Sequence, residues 1–230
     1  MGKTIAIVQS NYIPWKGYFD LIAAADAFVL LDTVQYTPRD WRNRNRIKTP
    51  NGLAWLSIPV HARRDSPIQA VTIADPSWQM LHWKTLQHAY AHAPHFDWVA
   101  AWLQPLYLAQ PYTHLSHVNR QFIEAIMAVL RIDTPLHDAG NLPGTEGKNA
   151  RLIEICQALE ADSYLTGPSA RAYLDEAQFA AAGIAVRWME YGAYPEYPQC
   201  WGEFIHEVSV LDLLMQCGDH ARDYMKVPHG

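Results

Sequence analysis

Residues 5–32, IAIVQSNYIPWKGYFDLIAAADAFVLLD, divide into four pieces of distinct character. Residues 5–9 are a short apolar run rich in branched side chains, the pattern of a strand buried on both faces. Residues 11–17 carry Pro14 and Gly17 and read as a loop. Residues 18–26 place Phe19, Ile22 and Ala23 at helical spacing. Residues 27–32 form a second buried-strand run. Strand, loop, helix and strand in so short a span make one βαβ crossover. The expected fold is therefore α/β, with a Rossmann-like parallel sheet at its core.

The remaining pattern extends this unit. Residues 55–60 and 70–73 read as two further strands of a hairpin arm, joined by a polar loop over 61–67. Three helical patterns follow, over 78–92, 96–108 and 115–130. They define a mostly helical insertion, 76–132, within a single α/β domain of residues 1–230. Residues 133–148 hold Pro135, Gly140, Pro143, Gly144 and Gly147 and read as a loop and lid. Next come a helix over 150–159, a strand over 162–166, a Gly-Pro-Ser turn and a short helix to Tyr173. A helix over 176–182 ends at Gly183, a residue suited to a helix C-cap. A strand over 184–191, an aromatic loop over 194–201 and a helix over 208–217 closed by Gly218 complete the chain. Ser209 and Asp212 are expected to cap that last helix.

Composition narrows the function classes. The net charge of −5 argues against general nucleic-acid binding, leaving only a local basic patch. No stretch approaches the roughly 20 apolar residues of a membrane span. MGKT runs into Ile5 too quickly for a signal peptide, so a cytoplasmic location is expected. The 3 cysteines lack the short spacings of a zinc site, and their odd number argues against a disulfide framework. The 9 Trp and 12 Tyr serve either the core or a cleft that stacks flat or sugar-like ligands.

Three stretches carry candidate chemistry. The first is the turn 9–18, leaving the first strand and entering a helix. Ligands of open parallel sheets sit at such strand ends, and a helix N-terminus suits a phosphate or carboxylate. Gln9, Asn11, Tyr12, Trp15 and Gly17 are its candidate contacts, with Lys16 as a catalytic charge. An ordinary surface turn is the alternative. The second follows the second strand: Gln35, Tyr36, Trp41, Arg42, Asn43, Arg44, Asn45 and Lys48. If this segment is extended, Arg42, Arg44, Arg46 and Lys48 share one face, suited to bidentate capture of an anion. A solvated edge strand is the alternative. The third is Gly167, Ser169 and Tyr173, where Ser169 either caps a helix or faces an anion. Asp32 and His61 are the candidate acid–base groups. His88 and His92 stand four apart, but without the Glu of a zinc-protease helix, and no metal is expected. The three stretches are expected to meet at one rim, with residues 16, 44 and 169 around a pocket for negative charge.

IAIVQSNYIPWKGYFDLI, DAFVLLDTVQYTPRDWRNRNRIKTPNG and WLSIPV resemble the WbqC-like family of bacterial proteins. RLIEICQALEADSYLTGPSARAYLD and FIHEVSVLDLLMQCG extend the resemblance over nearly the whole chain. It implies association with O-antigen and surface-polysaccharide biosynthesis, and transfer of an acyl or aminoacyl group such as glycyl to an amino sugar. A more distant similarity joins Pro14 to Tyr18 with the phosphate-binding loop of HIGH-type nucleotidyltransferases. Gly17 matches the loop glycine, while Lys16 and Tyr18 replace its histidines. The resemblance implies a small-molecule substrate carried by phosphopantetheine, by an acyl or aminoacyl carrier protein, or by a nucleotide. A nucleotidyltransferase or ATP-dependent ligase, and a binding protein without chemistry, are the alternatives.

Overall fold

The computed structural model describes residues 2–145 and 147–226. In chain order, β1 (Thr4–Val8), α1 (Lys16–Ala23) and β2 (Ala27–Leu30) form the first crossover. β3 (Arg44–Thr49) and β4 (Gly52–Ser57) make an antiparallel hairpin, and β5 (Val60–His61) pairs with β6 (Thr72–Ile73). Three helices follow: α2 (Trp78–Tyr90), α3 (Phe96–Leu108) and α4 (Leu115–Val129). The chain then runs through β7 (Leu136–Asp138), α5 (Lys148–Ala158), β8 (Ser163–Thr166), α6 (Glu176–Ala181), β9 (Ala185–Trp188) and α7 (Val210–Cys217).

The main sheet has five parallel strands in the order β7-β2-β1-β8-β9. With helices flanking it, this is a Rossmann-like α/β core. Alternation along the strands divides the core in two. Ile5, Ile7, Ala27 and Val29 point to one face, where Leu152, Ile155 and Cys156 of α5 and Phe179 of α6 cover them. Ala6, Phe28 and Leu30 point to the other, against α1, α7 and the three middle helices. Helix α7 is buried at all eight positions, which its apolar sequence VLDLLMQC allows.

Four local readings are corrected. Residues 136–138, expected as loop, pair with β2 as the edge strand β7, with Phe28 N–H donating to Pro135 O at 2.9 Å. Three residues between a proline and a glycine are too few to show a strand period. Residues 68–70 turn into a 3-10 helix, so the hairpin arm is only two residues long on each side. Ser169 caps nothing: Gly167 occupies the N-cap of the 3-10 helix Pro168–Ala172. Ser209 does cap α7, accepting from Leu211 N–H at 3.2 Å. Asp212 instead accepts hydrogen bonds from Tyr90, Tyr197 and Gln199 inside the molecule.

This topology leaves a crevice at one edge of the sheet. From β1 the chain moves to β2 on one side, and from β8 it moves to β9 on the other. The crevice beyond the C-terminal ends of β1 and β8 is the switch point of the sheet, where the crossovers diverge and leave space.

Candidate functional site

A cavity of about 580 Å³ opens at that switch point. Ile7, Val8 and Gln9 bring the end of β1 to it, and Thr166 and Gly167 bring the end of β8. Asn11, Trp15, Trp41 and Arg42 line one side; Ser169, Tyr173 and Tyr191 line another. The start of α5 completes the wall with Gly147, Lys148 and Arg151. The described lining thus holds three cations and five aromatic rings, counting Tyr18, and neither a carboxylate nor a histidine.

Each group is held by its neighbours. Helix α5 has Gly147 at its N-cap with φ +103°, no capping side chain and no acid in its first turn. Among the described residues, therefore, no capping side chain or first-turn acid competes with an anion for its positive dipole end. Arg151 Nε donates to Thr145 O at 3.2 Å, and Lys148 Nζ lies 5.4 Å from the centre of the Tyr173 ring. Neither has an ion-pair partner among the described residues. Arg42 donates to Asn11 Oδ1 and lies 3.4 Å from Asp40. Trp15 packs edge-on against Tyr191 at 5.2 Å. Burial pushes the Tyr191 hydroxyl up to about 12, so it stays neutral and able to donate. Together these groups fit a phosphorylated or carboxylated ligand with a flat or sugar-like part.

A polar relay fixes the turn that floors the cavity. Asp32 accepts from Ser10 N–H at 2.9 Å and from Ser10 Oγ at 2.7 Å. Asn119 Nδ2 donates to Ser10 Oγ and to Arg42 O, both at 2.9 Å. Burial holds the Asp32 carboxyl above its usual range, although both Ser10 hydrogen bonds pull it down. Asn45 Nδ2 donates to Tyr12 O and Ile13 O, and Ser209 Oγ donates to Ile13 O. These bonds hold Ile13 at φ +37°, a conformation strained for a β-branched residue.

Gln9, Asn11, Trp15, Trp41, Arg42, Gly167, Ser169 and Tyr173 thus gather in one place, and the other anticipated residues lie elsewhere. Lys16 is buried under the loop after β9, its Nζ 3.3 Å from Pro195 O and beneath the Tyr194 ring. Burial lowers it to about 8. Gly17 clears space for Trp15, whose ring would lie 2.4 Å from an added Cβ. Tyr12 is buried against His82 and Tyr107. Gln35 donates to Arg64 O, Tyr36 is buried, and Asn43 Nδ2 donates to Ile58 O. Asn45 is a turn clamp, and Lys48 Nζ is held by Glu203 O at 2.5 Å. Arg44 stacks on Trp55 outside the cavity. Asp32 borders a second hollow with His117, Arg120 and Asp138, and His61 a third with Arg63 and Thr72. The meeting expected of residues 16, 44 and 169 is therefore made by their chain neighbours Trp15 and Arg42 with Ser169.

Gly147, Lys148, Arg151 and Tyr191 were missed. The signal for the first three was present: a glycine opening a helix with two cations three apart in its first turn. Starting that helix at residue 150 concealed it. Among the described residues no group of three His, Cys, Asp or Glu side chains is placed to hold a metal ion. No described helix is long and apolar enough to cross a membrane.

No solved structure matches the chain. A Mycobacterium tuberculosis protein (strain ATCC 25618 / H37Rv), named "Uncharacterized protein Rv1507c", is 46% identical over 226 residues, covering 97% of this chain and 98% of that one. The profile of the WbqC-like protein family matches residues 9–224, taking in the turn after β1, the end of β8 and the helix start that shape the cavity. The chain belongs to the WbqC-like protein family.

Proposed function

We propose that this chain is a transferase that moves an acyl or aminoacyl group, such as glycyl, onto the amine of an amino sugar or similar small acceptor, in surface-polysaccharide or related biosynthesis. The observation that carries this reading is the cavity at the switch point, with Arg42, Lys148 and Arg151 among aromatic rings and no carboxylate in its described lining. Such a lining favours a donor carried on phosphate, whether a phosphopantetheine thioester or a nucleotide-linked group.

In the reaction the acceptor amine attacks the thioester carbonyl. A C–N bond forms, the C–S bond breaks, and the ammonium proton leaves with the thiolate as thiol. The described cavity wall supplies no general base, so the rate enhancement rests on holding the two substrates together and on N–H donors for the oxyanion. The N–H groups at the start of α5 serve either the oxyanion or the donor phosphate. Asp32 acts as a positioning residue, through Ser10.

Nucleotidyl transfer has less support, because Lys16 points at Pro195 O rather than into the cavity. The test is incubation with acyl and glycyl thioesters of coenzyme A and of carrier proteins, plus a nucleotide-linked amino sugar, read by mass spectrometry. An N-acylated sugar is expected. A Lys148→Ala/Arg151→Ala pair should lose about tenfold to a hundredfold in kcat/KM, from two charge-assisted contacts. Absence of product with all partners supplied, or pyrophosphate exchange into ATP instead, sinks the reading.

A further inference from the structure

The β3–β4 hairpin, with Trp41 just before it, carries an arrangement of which only Trp41 lines the cavity. Trp41 and Trp55 are 39% and 45% exposed, and Leu53 beside them is 38% exposed. The two indoles lie 5.4 Å apart. The Arg44 guanidinium sits 4.2 Å above the Trp55 ring, and that of Arg46 lies 5.6 Å from both rings. The register explains the grouping: Arg46 stands opposite Trp55, and Arg44 is two residues along on the same face.

Arg44 Nη2 donates to the backbone carbonyl of Arg39, but neither Arg44 nor Arg46 has an acidic partner among the described residues. Asp40, the nearest acid in sequence, pairs with Arg42. Their Nε atoms are buried and make no hydrogen bond among the described residues. Of the chain's 18 Lys/Arg and 23 Asp/Glu, seven and two respectively lie between Gln35 and Ser66. Positive charge is therefore concentrated around this hairpin, while the rest of the chain is strongly acidic. Trp41 belongs both to this surface and to the cavity wall, with Arg42 beside it.

We propose that the Trp41–Trp55 face with Arg44 and Arg46 docks an acidic carrier protein, which passes its acylated, phosphorylated arm over Trp41 into the cavity. This inference rests on the transferase reading and selects a protein as the bearer of the donor. Exposed Trp and pre-oriented Arg are the residue types that anchor protein interfaces. The Arg44 guanidinium over Trp55 and that of Arg46 beside both rings suit bidentate carboxylates. A free nucleotide or coenzyme needs no such surface outside its pocket. A nucleic acid needs a basic track longer than one hairpin, and the acidic remainder of the chain repels it.

The test titrates the protein with a phosphopantetheinylated acyl carrier protein, its unmodified apo form, coenzyme A and deacylated transfer RNA. The modified carrier should bind at low salt and lose at least about tenfold in affinity at roughly 0.3 M salt. An Arg44→Glu/Arg46→Glu pair should lose as much, and an Arg44→Gln/Arg46→Gln pair, with its Tm checked, should lose less. Coenzyme A should bind the parent and both variants alike. Carrier binding that is absent, or unchanged in the glutamate pair, overturns the docking proposal; with coenzyme A still bound, the cavity reading survives. Transfer RNA bound tightly and released by the same substitutions reassigns the surface and overturns the proposal. Coenzyme A failing to bind, together with no N-acylated product, counts against the transferase reading itself.

Discussion

At the scale of single residues, several side chains that look like ligands are parts of the scaffold. Lys16 is the clearest case. In the unfolded chain it titrates near its ordinary value of 10.5, and in the folded protein near 8, because burial disfavours its charge. Between those values the unfolded chain holds a proton that the folded one has released. Stability therefore rises with pH across this window, and the contribution is lost as pH falls through 8. Urea unfolding at pH about 7.5 and about 9.5 should show this rise, and Lys16→Met should flatten it. An unchanged pH slope in the variant would place the titration elsewhere. The sequence marked the turn 9–18 correctly as lying at the sheet edge, yet it did not distinguish Trp15, which faces the cavity, from Lys16, which is turned beneath the Tyr194 loop. That choice is made by residues nearly 180 positions away, a distance over which periodicity carries no information. Asn45 is similar: its clamp on Tyr12 O and Ile13 O exists only once the hairpin folds over the turn.

At the scale of elements, α1 and α5 both start at the C-terminal edge of the sheet, but they start differently. Neither start has a side-chain cap among the described residues, but α5 opens beside two cations that line the cavity, whereas α1 is entered through Trp15, packed across Gly17. Gly17→Ala makes the difference measurable. Helix propensity alone favours alanine by about 1 kcal/mol inside a helix. A Cβ 2.4 Å from the Trp15 ring cannot be accommodated in place, so the indole must move. The clash should win: Tm falls, tryptophan fluorescence changes, and affinity for a phosphorylated cavity ligand drops. A rise in Tm with unchanged fluorescence would contradict this account. Long helices with strong spacing, Phe96–Leu108 above all, were legible from sequence because their own residues determine them. β7 and the true start of α5 were not, since a three-residue edge strand and a glycine-led helix start gain their meaning from the partners they meet.

At the scale of the whole molecule, the two faces of the sheet are unequal. The face that receives α1 also receives α7 and the three middle helices, in one continuous apolar cluster. Leu214 is fully buried in this cluster. Leu214→Ala should cost about 2–5 kcal/mol, the range for opening a cavity in a close-packed core. A lower urea midpoint at constant m-value would show it, and a loss under about 1 kcal/mol would mean that the surroundings collapse into the gap. The order of the strands has a further consequence, for synthesis. β1 gains β2 as a neighbour early, but its other neighbour is Ser163–Leu165, about 160 residues further along the chain. A nascent chain must therefore carry its central strand half-paired until most of the sequence has left the ribosome. During that interval the open edge is exposed to wrong pairing and to chaperones. The flank of β1 that β8 finally covers, beside the mouth of the cavity, stays open until residues 163–165 have emerged, and only β9 joins the sheet after it.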